Sequence, residues 1–268
     1  MQDFEYAVLG GSLLLSVGLF LVCLLFFSFR KSWAIHPGRT VGVVKTNCLG
    51  WIDLAGVGLV FAIFLCNWID LGQVHSEKSL SYGLMLSQFV LQMGFVGVVI
   101  GVLYHRASIE GLWGLRPGRY WWITGASFVG LLFYFVALEL LWAIGFEDWT
   151  GRVFQRLPGE ASGRGLEPTV TYWAFWALIT VVGAPLMEEV VFRGYLYPVL
   201  KRMGGIWLAA LTVSLFFAAA HLEGSHLLGR FLLGLILIAA FELTGSLWAP
   251  LGIHVLNNLY VFIGNFVE

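Results

Sequence analysis

The chain has 268 residues, of which 59% are hydrophobic and 12% charged, and its formal net charge is -1. A soluble domain carries about a quarter charged residues, so the composition excludes an ordinary water-soluble domain and indicates a protein covered by lipid. The charge balance has no basic stripe and excludes nucleic acid as a partner. Cys23, Cys48 and Cys66 are unevenly spaced and are interpreted as small buried hydrophobes rather than a disulfide or metal framework.

Eight apolar segments are long enough to cross a membrane as helices. A bilayer core of about 30 Å needs roughly 20 apolar residues, and backbone groups inside it must hydrogen-bond within the segment. The segments lie near residues 6–29, 49–71, 80–104, 120–146, 170–200, 205–222, 226–243 and 246–264. The sequence therefore predicts an all-α fold, a polytopic transmembrane helix bundle of about eight spans in the lipid bilayer. An acidic N-terminus argues against a cleaved signal peptide, so we expect the first span to be retained.

The distribution of lysine and arginine predicts that both termini lie outside the cell. With that orientation, nine basic residues fall in inside loops: Arg30, Lys31, Arg39, Lys45, Arg106, Arg116, Arg119, Lys201 and Arg202. Four fall in outside loops: Lys78, Arg152, Arg156 and Arg164. We therefore expect a multi-pass integral protein of the cytoplasmic membrane, with residues 147–169 as an irregular outside loop or lid.

Ionisable side chains inside spans are costly, and each is a candidate functional group. Asp53, Asp70, Glu139 and Glu242 occur singly in or near spans, and we expect a structural role for each. Asp53 and Asp70 suit a position at a membrane interface, and Glu139 could pair with a neighbour across the bundle.

Two adjacent carboxylates, Glu188 and Glu189, stand in an apolar segment and cannot both be charged there at low cost. Glu189 and Arg193 are four residues apart, the spacing at which side chains meet on one helix face. Arg193 can keep Glu189 ionised, which leaves Glu188 free to point into a cavity as a general base. Pro185 would kink the helix and open room for water. The alternative from this segment alone is an ion pair that only locks two helices together.

Two further pairs have the same spacing, Phe217 with His221 and His254 with Asn258. A lone histidine in a membrane is more often a structural group than a catalyst. Two histidines, an asparagine and a paired Glu-Glu on three helices together supply a base, an imidazole to share its proton and donors for an oxyanion. This set predicts hydrolysis of an acyl bond.

The three motifs resemble those of the CAAX protease and bacteriocin-processing family, which includes type II CAAX prenyl endopeptidases. They are Glu188-Glu189-x-x-x-Arg193, Phe217-x-x-x-His221 and His254-x-x-x-Asn258, in the family's order within residues 170–262. Gly114-Leu-Arg-Pro resembles a weaker upstream feature. We divide the chain into an N-terminal part of about three spans, residues 1–119, and a catalytic transmembrane core, residues 120–268.

The resemblance implies roles for these residues. Glu188 would activate water with help from His221, His254 and Asn258 would stabilise the oxyanion, and the supporting residues would be Glu189, Arg193 and Phe217. Whether zinc or another divalent metal is required is left open. There is no His-Glu-x-x-His, and the candidate ligands are Glu188, His221 and His254. His226 is expected at the membrane surface rather than as a metal ligand.

The leading hypothesis is an intramembrane endopeptidase that cleaves a membrane-embedded or lipidated peptide, or a small secreted one. The first alternative is a non-catalytic membrane protein, such as an immunity or scaffold protein, that keeps the protease fold. The second is a transporter with a proton relay, although the inverted repeats that would favour it are not visible. The oligomeric state is left open.

Overall fold

The computed structural model describes residues 42–44, 46, 48–50, 53–58, 60, 82–104, 107–115, 120–146, 169–221 and 226–264. The first predicted span, most of the second, Asp70 and the loop at 147–168 lie outside these residues. Within the described ranges there is no β-strand. The all-α fold class is therefore confirmed.

Within the described residues seven helices are formed, with a short helical stretch at residues 53–58 before them. They are α1 (Tyr82–Tyr104), α2 (Ile109–Trp113), α3 (Tyr120–Ala143), α4 (Val170–Gly204), α5 (Ile206–Ala219), α6 (Leu227–Thr244) and α7 (Trp248–Gly264). Four of them, α1, α3, α4 and α6, are long and apolar enough to cross a membrane, and α5 is a shorter apolar helix. The chain is thus an integral membrane protein built from helices, as its composition predicts.

The predicted segments from the third to the eighth each correspond to a helix, with small shifts at the ends. The largest shift concerns α4, which continues to Gly204 instead of ending near residue 200. It ends there because Gly205 has a φ of 85°, a left-handed conformation that favours glycine. The chain then turns at once into α5.

The helix α4 is not uniformly α-helical. Leu178–Gly183 and Glu189–Leu196 are π-helical, and Ala184–Glu188 between them is α-helical with Pro185 in its first turn. π-Helical turns are rare in proteins, and those that do occur are often found at functional sites. In each π-helical segment a side chain from another helix donates a hydrogen bond to a backbone carbonyl. The amide of Asn258 donates to Thr180 at 2.9 Å, and the indole of Trp113 donates to Gly194 at 3.0 Å.

The helix pair α5 and α6 packs closely through small residues. A methyl group added to Gly234 on α6 would lie 2.9 Å from the Cα atom of Ser214 on α5. Small residues at a crossing point let two membrane helices approach and gain van der Waals contact. The helix α7 packs against α3 and α6, which places the last predicted motif beside α4 and α5.

The side chain of Lys201 is buried in α4, which corrects its predicted place in an inside loop. Its ammonium group pairs with Glu242 on α6 and donates to the carbonyl of Val44 at 2.9 Å. Glu242 also accepts from the hydroxyl of Tyr197 at 2.8 Å and from the amide of Val43 at 3.0 Å. Lysine can be buried here because an acidic partner and a carbonyl satisfy its charge and its donors.

The other two single acids within the described residues have different surroundings. Asp53 is buried and accepts from the amide of Gly50 at 2.7 Å, at the start of the helical stretch 53–58. Glu139 is exposed on α3, and among the described residues it has no partner for the pairing across the bundle that the sequence allowed.

Candidate active site

A cavity of about 260 Å³ opens at one end of the bundle, where α4 and α6 begin and α5 and α7 end. Residues of five elements line it: Tyr134, Trp176, Thr180, Phe217, His221, His226, Gly229, Arg230, Leu233, His254, Asn257, Asn258, Val261 and Phe262. The structure thus brings the second and third motifs to one cavity. The two glutamates of the first motif lie directly behind its histidines.

The predicted pair of Glu189 and Arg193 is formed, and it is completely buried. The guanidinium Nη1 of Arg193 donates to Glu189 Oε1 at 2.9 Å, and both side chains have no exposed surface. Nη2 donates to the carbonyl of Gly234 at 3.3 Å, and the guanidinium carbon lies 4.4 Å from the centre of the Phe217 ring. The counter-charge, the two hydrogen bonds and the cation–π contact together stabilise this arginine inside the bundle, and its Nε alone is buried without a hydrogen-bond partner.

His254 lies between the two glutamates, with one ring nitrogen toward each. Its Nδ1 is 2.7 Å from Glu189 Oε1, and its Nε2 is 3.7 Å from Glu188 Oε2. Because the ionised Glu189 can only accept, Nδ1 carries the hydrogen and donates it. The imidazole thus stands between the two adjacent carboxylates, one at each ring nitrogen.

His221 presents its ring to the same oxygen of Glu188 from the end of α5. Its Nδ1 is 2.8 Å from the carbonyl oxygen of Phe217, and its Nε2 is 3.6 Å from Glu188 Oε2. A carbonyl can only accept, so Nδ1 is again the donor and the neutral ring turns a bare Nε2 toward Glu188.

Three hydrogen-bond acceptors therefore converge behind the cavity wall: Glu188 Oε2 and the Nε2 atoms of His221 and His254. The separations of 3.6 and 3.7 Å are too long for direct hydrogen bonds, and Glu188 Oε2 is buried with no hydrogen-bond partner. A buried acceptor without a donor is costly. A water molecule is the smallest group that could supply hydrogens to this oxygen and to an imidazole at once.

Asn258 is held in place on α7 by two hydrogen bonds. Its Nδ2 donates to the carbonyl of Thr180 at 2.9 Å, and its Oδ1 accepts from Asn257 Nδ2 at 3.3 Å. An amide nitrogen carries two hydrogens, so the second hydrogen of Asn258 is available at the cavity. Asn257 also lines the cavity and was not predicted from the sequence.

The ring of Phe217 supports three charged or titratable groups of the site. It meets the His221 ring edge-on at a centroid distance of 4.9 Å, the His254 ring at 5.6 Å, and the Arg193 guanidinium on its face. This aromatic contact explains why a phenylalanine suits the position four residues before His221, where it fixes both imidazoles.

No group of three or more His, Cys, Asp and Glu side chains in the described part of the chain has the arrangement of a metal site. The predicted candidate ligands Glu188, His221 and His254 are brought together, but with the separations given above. The need for zinc or another divalent ion, which the sequence left open, is not tested by this geometry.

Several cavity residues were not predicted from the sequence. His226, which was expected at the membrane surface, lines the cavity because it immediately precedes α6, whose first turns form one wall. Tyr134, Thr180 and Arg230 line it as well. The one sequence signal for Arg230 is its charge within an apolar segment, which by itself marks a candidate functional group.

Residues 170–260 match the protein-family model described as type II CAAX prenyl endopeptidase Rce1-like. The matched range includes all three motifs, so the resemblance to the CAAX protease family is confirmed for this part of the chain. The match to this family model supports the interpretation of the protein as a membrane protease. No curated protein and no solved structure matches the chain.

Proposed function

We propose that the protein is an intramembrane endopeptidase of the CAAX protease type in which Glu188 activates water. The observation that carries the proposal is the position of Glu188 Oε2, buried without a hydrogen-bond partner at 3.6 and 3.7 Å from two imidazole nitrogens. A carboxylate and two imidazoles behind a cavity between membrane helices are suited to general base catalysis of hydrolysis.

In the first step, water bound between Glu188 and His221 loses a proton to Glu188 while its oxygen attacks the peptide carbonyl carbon. His221 holds the other hydrogen of that water and shares the proton that is released. The proton then passes from Glu188 to the amide nitrogen, the carbon–nitrogen bond breaks, and a carboxylic acid and an amine are released, between which the remaining acidic proton passes to give a carboxylate and an ammonium group. Water is thereby consumed, and Glu188 returns to its ionised state.

The tetrahedral oxyanion is stabilised by Asn258 and His254. Asn258 has its second amide hydrogen for this purpose, because the first is held by Thr180. His254 can donate from Nε2 only as an imidazolium, and Glu189 at 2.7 Å from Nδ1 is placed to stabilise that charge. The buried pair with Arg193 keeps Glu189 ionised and fixed.

The proposed substrate is a membrane-embedded or lipidated peptide. Trp176, Leu233, Val261 and Phe262 give part of the cavity wall an apolar character, which suits a substrate that arrives within the bilayer.

The test is cleavage of quenched-fluorescent membrane peptides by the full-length protein in liposomes. We expect Glu188→Gln to lower kcat/KM at least about 1,000-fold, because the carboxylate base is lost while the shape is kept. His254→Ala should lower it by a similar order. The matched control is Glu139→Gln, which changes an exposed acid on α3 outside the cavity and should leave the rate unchanged.

Undiminished cleavage by Glu188→Gln would overturn the proposal. A cellular phenotype that the Glu188→Gln protein restores in full would instead favour the non-catalytic alternative. Dialysis against a chelator, followed by the same assay, tests whether a metal ion is required.

A further inference from the structure

The cavity has an uneven charge distribution. Among the described residues that line it, Arg230 is the one with a permanent charge, and no aspartate or glutamate lines the wall. Three histidines, His221, His226 and His254, are the other titratable nitrogen groups there. The wall that a substrate meets first is therefore cationic or neutral, because Glu188 and Glu189 lie behind the imidazoles.

Arg230 projects from the first turns of α6 and is half-buried. Arg230 lines the same cavity as His221, at the end of α5, and Tyr134, on α3. The three residues come from different elements and contribute to different walls of the cavity. His221 in turn is 3.6 Å from Glu188. A group held by Arg230 would therefore lie within the cavity in which the scissile bond is placed.

Arginine is suited to one kind of ligand in such a place. Its planar guanidinium presents a fixed fork of donors that matches a carboxylate with two parallel hydrogen bonds. The interaction strengthens where water is scarce, as it is between membrane helices. Tyr134 adds a hydroxyl on the facing wall that could donate to the same anion.

We propose that Arg230 binds a carboxylate of the peptide substrate near the scissile bond and makes the protein selective for acidic peptides. The inference rests on the proposed function and adds a substrate class to it. The carboxylate can come from a free C-terminus or from an aspartate or glutamate side chain, since the recognising chemistry is the same. Arg230 also interacts within the protein, so its substitutions need a variant that keeps the charge.

The experiment compares three quenched-fluorescent peptides that share one apolar sequence. The first ends in a free carboxylate, the second in a C-terminal amide, and the third in an amide with a glutamate after the scissile bond. Each peptide is incubated with liposomes that contain the wild-type protein, Arg230→Gln, Arg230→Lys or Arg202→Gln, and the rate of cleavage is measured. Arg202 lies in the last turn of α4, at the far end of the bundle from the cavity, and serves as the charge-removal control.

For the wild-type protein we expect a preference of about ten- to 100-fold for a peptide with a carboxylate, seen mainly in KM. Arg230→Gln should abolish the preference while it still cleaves the fully amidated peptide. Arg230→Lys should keep much of it, because the positive charge stays, and Arg202→Gln should keep all of it. A preference for the first peptide alone identifies the C-terminus as the source, and a preference for the third identifies a side chain.

Equal cleavage of all three peptides by the wild-type protein would overturn the inference while leaving the protease assignment intact. A preference that persists in Arg230→Gln would overturn it too. If no peptide is cleaved, the proposed function fails, and binding of the same peptides to the Glu188→Gln protein decides on Arg230 separately. Stronger binding of the carboxylate peptides that Arg230→Gln abolishes supports the site, and equal binding contradicts it. If Arg230→Gln does not elute as a folded protein, the comparison of Arg230→Lys with wild type decides, because loss of the forked geometry should still weaken the preference.

Discussion

Glu188 and Glu189 are neighbours in sequence but have opposite surroundings. Glu189 accepts hydrogen bonds from Arg193 and from His254, with no exposed surface. Both glutamates have an Oε2 atom that is buried without a hydrogen-bond partner, but Glu188 has no partner comparable to Arg193, and its side chain is 14% exposed. One carboxylate is therefore suited to holding helices together, and the other is suited to receiving a proton.

Replacement by glutamine should lower the stability of the protein at Glu189 and its activity at Glu188. Glu189→Gln leaves the buried Arg193 without its counter-charge, so we expect the free energy of unfolding to fall by about 3–5 kcal/mol. Glu188→Gln removes no paired charge and should stay within about 1 kcal/mol of wild type while losing activity. The measurement is unfolding in mixed detergent micelles followed by tryptophan fluorescence. Similar destabilisation by both substitutions would contradict the division of roles.

The pairing within one helix was predictable, whereas the contacts between helices were not. Glu189 and Arg193 follow from their spacing of four residues. That His254 donates to Glu189 depends on how α7 packs beside α4, which no local pattern encodes. For the same reason the sequence did not predict that His226 lines the cavity. Its sequence surroundings suit a membrane surface, and only the packing of α6 brings it to the cavity.

At the scale of helices, the close approach of α5 and α6 supports the site from behind. Gly234 lies against the backbone of Ser214, and its carbonyl accepts from the buried guanidinium of Arg193. A displacement of α6 would therefore disturb the arginine that keeps Glu189 in place.

A methyl group at Gly234 tests this coupling. We expect Gly234→Ala to force α5 and α6 apart, because the added carbon would lie 2.9 Å from a backbone atom that cannot rotate away. Both thermal stability and peptide cleavage should fall, with a cost of about 1–3 kcal/mol for overpacking. Gly101→Ala on α1, where nothing lies within 4 Å, should be neutral or slightly stabilising. An unchanged Gly234→Ala protein would show that α6 can shift freely.

The helices themselves were predictable, but the irregular turns within α4 were not. Apolar length alone located the segments that became α1, α3, α4, α5, α6 and α7. The π-helical segments have no sequence signal of this kind, since their carbonyls are satisfied by Asn258 and Trp113 from distant parts of the chain. Pro185, which was expected to open room for water by a kink, stands in the α-helical turn between the two π-helical segments.

For the whole molecule, the two ends of the bundle have different character. The cavity lies where α4 and α6 begin and α5 and α7 end, whereas the buried pair of Lys201 and Glu242 lies toward the other end. Because Lys201 is paired inside the protein, it does not count as a loop charge. The predicted inside count falls from nine to eight residues against four outside, so the expected orientation is kept with a smaller margin. The cavity should then open toward the outside of the membrane.

Cysteine labelling tests this orientation. In a protein with Cys23, Cys48 and Cys66 replaced by alanine, we introduce Val170→Cys or Trp207→Cys. These side chains are 86% and 83% exposed and stand at the start of α4 and of α5. A membrane-impermeant maleimide should label Val170→Cys in intact cells, because it lies at the cavity end. It should label Trp207→Cys only after permeabilisation. The reverse pattern would place the cavity on the cytoplasmic side, and labelling of both from one side would contradict a membrane-crossing α4.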